Sequence, residues 1–428
     1  MFFRRGSILI LFVMIVQLLT ACEARNPQSP VEITFYKRGY TEGGTDITST
    51  TIAQAVQAFQ VANPHIKVNV VGVDWTPEGT ALLEQALAER KGINVFSVGS
   101  NDLLRLSRAG ILSELEPYLT EDDISDFYAS GLDAARADGK IYAWPVWVTA
   151  VSVVANPDLF AERGVELPSL ENPWTWDQFV AACQKLTFTR ADGTALYGFS
   201  VPAATGNVAY LPLLYIEGGR VLSPDGRRFV QNEPDGVSAL QKLADLSLVY
   251  HVTPPDFGLS NQAAVLAQFK EGHLAMMMVT PSIVSEIEKS NLPLAVLPPP
   301  MGSLTQVVTT GAFGMYGVVK VDDPAVLAAS HEFARYITGS QVAVDVPGYQ
   351  QAPGLRRSNT AYATTPNREV IARLVSFGVY EAPVATSSDL RVAWETAMQD
   401  VLLGKQTALE ALDGISTTYQ AELDAQFP

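Results

Sequence analysis

Cysteine, histidine and catalytic signatures are scarce in this chain. Only two cysteines and four histidines occur among 428 residues, and the histidines are scattered without metal-ligand spacing. No HExxH, GxSxG or P-loop pattern is present. Gly311, Gly314 and Gly317 resemble a phosphate loop only in their glycines, because no lysine stands at the required offset. These absences exclude the common signatures of metal, nucleophile and nucleotide sites, and we expect no cofactor and no enzymatic activity.

A long apolar run is also missing. The longest such stretch, Ile8 to Leu19, has about 12 residues, whereas a membrane-spanning helix needs about 20. Arg4 and Arg5 precede it, and small residues follow it. This order of basic, apolar and small residues predicts a signal peptide at residues 1–21, so we expect an exported protein.

The end of that signal determines how the protein would be held at the membrane. Leu19-Thr20-Ala21-Cys22 resembles a bacterial lipobox, in which Cys22 becomes the acylated first residue of the mature protein. An ordinary cleaved signal followed by a chance cysteine is the alternative. With lipidation, residues 22–30 form a tether at the extracytoplasmic face of the cell membrane, carrying a lipid such as palmitate. Cys183 then has no partner, and no intramolecular disulfide is expected.

Positive charge is in short supply: 29 Lys and Arg face 45 Asp and Glu, a formal net charge of −16. Such an acidic chain argues against nucleic acid and anionic lipid surfaces as partners. It also mildly favours a neutral or cationic small molecule over an anion. We therefore expect contact with the membrane through the lipid anchor only, and we separately expect a monomer.

Strands and helices alternate from residue 31 onward. The patterns predict strands at 31–36, 66–73 and 93–98 and helices at 48–62, 80–90 and 102–109. This alternation is typical of a parallel sheet of the α/β class. At 428 residues the chain is long enough for two or three domains.

The most distinctive stretch runs from Asp138 to Phe179. An Asp-Gly turn opens it, Trp144-Pro145-Val146-Trp147 follows, and an apolar strand at 151–154 comes next. Proline removes a backbone donor and fixes φ. We therefore expect the strand to be interrupted here, with two rings projecting from a hinge that also forms a ligand-facing wall.

Aromatic residues at predicted strand ends and loops are the candidates for ligand contact. Sugar rings expose apolar C–H faces that stack on aromatic planes, while their hydroxyls need amide, hydroxyl or carboxylate partners. For any single aromatic residue, burial in the core is the alternative. The candidate ligand-binding residues are Trp147, Thr149, Trp144, Trp75, Asp102, Trp394, Tyr210 and Gly311. The acidic run Glu121-Asp122-Asp123 is interpreted as a helix start rather than a catalytic pair.

Several segments together resemble the family 1 extracellular solute-binding proteins of ABC importers, the group of maltose- and other sugar-binding proteins. The resemblance covers most of the mature chain and rests on segments 52–70, 138–160, 173–179, 269–276 and 311–314. The first is a helix, an Asn-Pro stop and a strand; the third is the Thr-Trp-Asp-x-Phe start of a helix. Ala155, Thr149 and Ile93-Asn94-Val95 depart from the family's pattern. These departures leave the fold as expected and the solute open.

The resemblance implies a two-lobe, type II-like periplasmic-binding-protein fold with a hinge of crossing strands. The expected lobes are residues 31–145 plus 283–340 and residues 146–282 plus 341–428. The crossings are expected near 144–149, 279–283 and 339–346. A sugar or oligosaccharide would bind between the lobes and be delivered to a membrane permease.

Other functions stay open at this point. Another organic solute, such as a glycerophosphodiester or a polyamine, is the alternative within the binding class. A receptor that reports its ligand to a membrane sensor is a second class. A secreted glycosidase is a third, and it would need two carboxylates in the cleft, for which Asp74 and Asp102 are the only nominees.

Overall fold

The computed structural model describes residues 30–74, 76–204, 209–381, 384 and 386–426. The predicted signal peptide, the lipidation site Cys22, nearly all of the tether and the candidate residue Trp75 lie outside the described residues. Within that part of the chain, no helix combines the length and apolarity needed to cross a bilayer.

The first sheet is built around three parallel strands, as the alternation predicted. Its five strands are β1 (Val31–Arg38), β2 (Ile66–Val73), β3 (Val95–Val98), β6 (Ala143–Val148) and β12 (Phe313–Val318), in the order β2-β1-β3-β12-β6. Strand β1 runs parallel to β2 and β3, whereas β12 runs antiparallel to both β3 and β6. The late strand β12 therefore lies inside a sheet whose other members all come from the first 148 residues.

A second sheet of five strands lies further along the chain. It contains β7 (Ser152–Ala155), β8 (Phe188–Thr189), β9 (Ala195–Ser200), β10 (Leu274–Val279) and β11 (Ala295–Leu297), in the order β11-β7-β10-β9-β8. Strand β10 is fully buried, and its sequence LAMMMV is apolar at every position. Its side chains serve both faces: Met277 joins the core that includes the first sheet, and Met276 and Met278 join a separate core. A short hairpin, β4 (Arg136–Ala137) and β5 (Lys140–Ile141), surrounds the predicted Asp-Gly turn.

Sixteen α-helices among the described residues cover these sheets. They are α1 (Ile47–Ala62), α2 (Pro77–Glu89), α3 (Ser100–Arg108), α4 (Glu121–Asp126), α5 (Ala129–Ala134), α6 (Pro157–Arg163), α7 (Trp176–Leu186), α8 (Leu211–Tyr215), α9 (Pro234–Leu248), α10 (Gln262–Lys270), α11 (Pro281–Lys289), α12 (Pro324–Thr338), α13 (Gln341–Asp345), α14 (Pro366–Leu374), α15 (Ser388–Leu402) and α16 (Ala408–Gln426). Local sequence sets several starts: Thr175 and Gln178 form the capping box of α7. The acidic run is the start of α4, as interpreted from the sequence.

Two chain segments connect the sheets side by side. Thr149 N–H donates to Ala312 O at 3.0 Å, and Val151 N–H donates to Thr310 O at 3.0 Å. The hydroxyl of Thr309 adds a bond to Val151 O at 2.6 Å. A third segment connects the sheets after Leu355. The N–H of Leu355 donates to Val146 O in the first sheet, and α14, further along the chain, packs against β11 of the second sheet. The first predicted crossing is thus present, centred on Thr149 to Val151 rather than on the tryptophans.

The other two expected crossings and two lobe limits are wrong. Residues 279–283 lead from β10 into α11, and the chain then returns to β11 of the same sheet. Residues 339–346 join α12 to α13, and both helices pack on elements of the first sheet or on α1. Strand β11, expected in the first lobe, pairs with β7 in the second sheet. Sheet membership depends on strand pairing between distant residues, which a local pattern does not reveal.

Candidate ligand-binding cleft

A cavity of about 330 Å³ lies where elements of the two sheets meet. The carboxyl end of β1, helix α1, strand β6 and the loop after α13 form most of its wall. The start of α11, which follows the second sheet, and the connecting segment at Thr149 complete it. We call this cavity the cleft; its lining residues are Lys37, Arg38, Gly39, Thr48, Thr51, Ile52, Val146, Trp147, Thr149, Pro281, Ser282, Tyr316, Tyr349, Gln350, Gln351 and Ala352. Ligands of open α/β sheets bind at the carboxyl ends of the strands, which is where Lys37 to Gly39 lie.

Trp147 presents a half-buried indole to the cleft. Its strand neighbour is Gly314, and a Cβ at that glycine would lie only 2.0 Å from Cε2 of the indole. The ring therefore lies directly against the glycine backbone of β12. Because any side chain at Gly314 would push the indole away, this glycine fixes the position of the aromatic wall.

The strand that carries Trp147 is not interrupted at its proline. It pairs with β12 throughout, but the register shifts so that Gly314 faces Trp147 while Met315 faces Pro145. Val146, next to Pro145, is the extra residue of a β-bulge. Bulges are among the few places at which a sheet tolerates proline. The expectation of a broken strand is wrong; the bulge instead reorients the side chains around the indole.

Two cationic side chains stand at the carboxyl end of β1. Lys37 is half-buried; its Nζ donates to Arg38 O at 3.0 Å and lies 6.0 Å from the ring centre of Tyr316. Burial lowers the pKa of Lys37 to about 8 because the ammonium loses its hydration. The guanidinium of Arg38 donates to Asp74 O and to the Thr80 hydroxyl, and these bonds direct it toward α2.

Uncharged polar groups make up much of the remaining wall. Thr48, Gln351 and Ser282 bring hydroxyl and amide groups, and the Ser282 hydroxyl lies 2.9 Å from that of Thr280. Burial raises the pKa of Tyr316 to about 12, so its phenol stays neutral. Such a set of donors and acceptors beside an indole can bind a polyhydroxylated molecule.

The connecting segment brings Thr149 and Gly311 together. Ala312 N–H donates to the Thr149 hydroxyl at 2.7 Å, and a Cβ on Gly311 would lie 1.4 Å from Thr149 O. Thr149 lines the cleft, whereas Gly311 does not, although both were candidates for ligand contact. Gly311 instead allows the two connecting segments to approach each other.

Four other predicted site residues do not line the cleft. Trp144 is 1% exposed and its indole donates to His331 Nδ1 at 3.2 Å, because helix α12 covers that face of β6. Trp394 is buried in the second core, where it donates to Gln231 at 2.6 Å. Tyr210 is 2% exposed in the same core. Asp102 lies in the first turn of α3, exposed to solvent and paired with Arg105 at 3.2 Å.

Sequence reasoning missed the cationic end of β1 and the loop at 349–352. The first had a usable signal, since Lys37-Arg38-Gly39 follows the first strand of a predicted parallel sheet. In the loop, the aromatic residue Tyr349 was the one signal, and it could not place the loop, whose position depends on α12 and α13 folding back on the first sheet. No group of three or more potential metal-ligating side chains occurs among the residues that the structure describes.

Comparison with known proteins places these observations in a family. Residues 54–365, well over half of the chain, match the model of the bacterial extracellular solute-binding protein family. A candidate binding protein of Brucella abortus (strain 2308) is 27% identical over 278 residues, 63% of this chain and 63% of that protein. The chain thus aligns with less than two thirds of that relative's length.

Solved structures share the fold. An ABC substrate-binding protein of Listeria monocytogenes in complex with cycloalternan is 23% identical, with a TM-score of 0.73 over 92% of this chain and 99% of that one. The sugar-binding protein MalE of Xanthomonas citri is 17% identical, with a TM-score of 0.79 over 92% and 98%. The fold is therefore the two-lobe α/β fold that the sequence predicted. Together with the family match, it shows that this chain belongs to the bacterial extracellular solute-binding proteins.

Proposed function

We propose that this protein captures a carbohydrate in the cleft and delivers it to an ABC permease. The observation that carries the proposal is the Trp147 indole, held against Gly314 in a cavity otherwise rich in hydroxyl and amide groups. An aromatic plane beside such groups suits a sugar, which has an apolar C–H face and a rim of hydroxyls. Two proteins of similar fold are described as binding sugars, which is consistent with this choice.

The two sheets then act as the centres of two lobes that close on the solute. In this proposal one lobe comprises residues 31–148 and 313 to about 357, and the other comprises the segment between them and the remainder of the chain. The paired segments at Thr149 and Ala312 are the hinge. Cys22, if acylated, anchors a monomer at the extracytoplasmic face, where the closed form meets the permease.

A binding experiment on the exported chain tests the carbohydrate. Calorimetry and thermal shift against mono- and oligosaccharides should reveal a sugar that stabilises the folded protein. Trp147→Ala should weaken that binding by about 1–3 kcal/mol, because the stacking surface is lost. Trp394→Phe is the matched control: it removes a hydrogen bond in the second core and should lower the melting temperature without changing affinity.

The same panel separates the alternatives. Stabilisation by polyamines or glycerophosphodiesters and by no sugar would overturn the carbohydrate proposal while leaving a binding protein. Release of product from a chromogenic glycoside would revive the glycosidase, although its nominated pair, Asp74 and Asp102, does not line the cleft. Permease genes beside the gene would favour transport over a purely sensory role.

A further inference from the structure

The charge of the cleft is opposite to that of the chain. The whole sequence has a formal net charge of −16. Among the described residues that line the cleft, Lys37 and Arg38 are charged and no aspartate or glutamate is present. Ligand selection follows the local field at the site rather than the net charge. The local charge of the cleft therefore favours an anionic solute, whereas the net charge of the chain had favoured a neutral or cationic one.

Lys37 has no ion-pair partner among the described residues. An ammonium group has three donors, and the contact to Arg38 O at 3.0 Å uses one of them. The aromatic ring of Tyr316, 6.0 Å away, offers only weak compensation. A partly buried cation without a counter-ion is destabilising. Burial lowers its pKa to about 8, and no carboxylate among the described residues pairs with it to offset that effect.

The opposite wall also favours negative charge. Helix α11 begins at Pro281 and Ser282, both of which line the cleft. The N-cap residue Thr280 bonds through its hydroxyl to that of Ser282 at 2.9 Å, and its side chain accepts no backbone N–H of the first turn. Helix N-termini carry partial positive charge and free N–H groups that bind anions. A helix N-terminus alone does not define a binding site, but the N-terminus of α11 borders the same cavity as Lys37, which has no ion-pair partner among the described residues.

We propose that the solute is an anionic carbohydrate, whose carboxylate or phosphate group binds Lys37 while its ring stacks on Trp147. This inference rests on the proposed carbohydrate function and narrows it to one substrate class. On closure, the start of α11 would approach the same anionic group from the second lobe. A carboxylate and a phosphate make the same demand on the ammonium group, a charge-assisted hydrogen bond.

Matched ligands test the inference by calorimetry at pH 7 on the exported chain. Each neutral sugar is compared with its acidic forms: glucose with glucuronate and glucose 6-phosphate, and galactose with galacturonate and galactose 6-phosphate. In at least one series the acidic form should bind about tenfold more tightly than the neutral parent, and the preferred member tells carboxylate from phosphate. Lys37→Met should abolish that preference, and Lys37→Arg should retain most of it.

A surface lysine provides the charge-matched control. Lys67 on β2 pairs with Glu32 at 2.9 Å and both side chains are exposed. Lys67→Met changes the net charge equally and should leave the acidic preference unchanged. A second readout is proton uptake: at pH 8.5 the wild type, but not Lys37→Met, should take up a proton on binding, seen as an enthalpy that varies with the buffer. The neighbouring groups are Arg38, Tyr316 and Tyr349; burial raises the pKa values of both tyrosines, so their phenols stay neutral at that pH.

Three outcomes would contradict the inference. If neutral sugars bind as tightly as their acidic forms, the anionic class is wrong and the carbohydrate function stands. If the acidic preference persists in Lys37→Met, the solute is anionic but Lys37 is not the group that binds its charge, and the inference as stated is wrong. If no sugar of either kind binds the wild type, both this inference and the proposed function fail.

Discussion

The buried histidine of helix α12 should make the protein sensitive to mild acid. His331 is 3% exposed and stacks on Tyr118 with ring centres 3.6 Å apart. The indole of Trp144 can only donate, so Nδ1 of His331 accepts and Nε2 carries the proton, which it donates to Ser113 Oγ at 3.0 Å. Burial lowers the pKa of His331 from 6.5 to about 3, and the ring is therefore neutral in the folded state.

The sign and size of the effect follow from that pKa. Between pH 3 and 6.5 the unfolded chain binds a proton at His331 that the folded chain does not. The loss of stability caused by this group is therefore absent above the unfolded pKa of 6.5 and grows as the pH falls below it. From pH 7 to pH 5 this single group should lower the free energy of unfolding by about 2 kcal/mol.

Urea unfolding of matched variants at pH 7 and pH 5 measures this loss. His331→Gln keeps hydrogen-bonding capacity without a titrating ring, so it should lose about 2 kcal/mol less than the wild type over the same interval. The exposed His65 provides the control, and His65→Gln should behave like the wild type. An equal pH dependence in the wild type and His331→Gln would refute the assignment of the acid sensitivity to this ring.

Three further predictions concern packing. Gly311→Ala should lower the free energy of unfolding in urea by about 1–3 kcal/mol, because its Cβ would overlap Thr149 O. Gly99→Ala, with open space around it, should change it little, and equal effects would contradict the close approach at Gly311. Arg356→Met should cost about 1–3 kcal/mol, since it removes one of the two arginines that pair with the buried carboxylate of Asp123, and a loss below about 1 kcal/mol would show that Arg335 compensates. The Cys183 thiol is fully buried, and burial raises its pKa. In a folded chain begun at residue 30 it should not react with a thiol reagent until urea is added. Rapid reaction without urea would be inconsistent with a buried thiol.

Local sequence determined the elements well. Apolar β-branched runs identified the central strands, and short-range signals such as Thr175 before α7 and the Asp-Gly turn at Asp138 lie where predicted. The turn residue Asp138 has a φ of 46°, which explains why an aspartate followed by glycine is used there. Capping and turn chemistry act over about four residues, so a sequence contains nearly all the information that they require.

The functional assignments depended on contacts that sequence does not reveal. Trp144 and Trp147 stand three residues apart, yet one is buried under α12 and the other faces the cleft. Which face of β6 meets α12 and which meets the cleft depends on its pairing with β12, about 170 residues further along the chain. Lobe limits failed for the same reason. Among the cleft residues that sequence reasoning missed, only the charged end of β1 could have been predicted from the order of the strands.

The position of β12 also bears on when the protein can fold. Strand β6 joins the first sheet solely through β12 among the described strands, so that sheet stays incomplete until residue 318 has been made. By then all five strands of the second sheet have been synthesised as well. A growing chain therefore cannot complete its first sheet early, and pairing over such a separation is slow. For this member of an extracellular solute-binding family, the cleft therefore forms only after Ala352, its last lining residue in the chain, has been made.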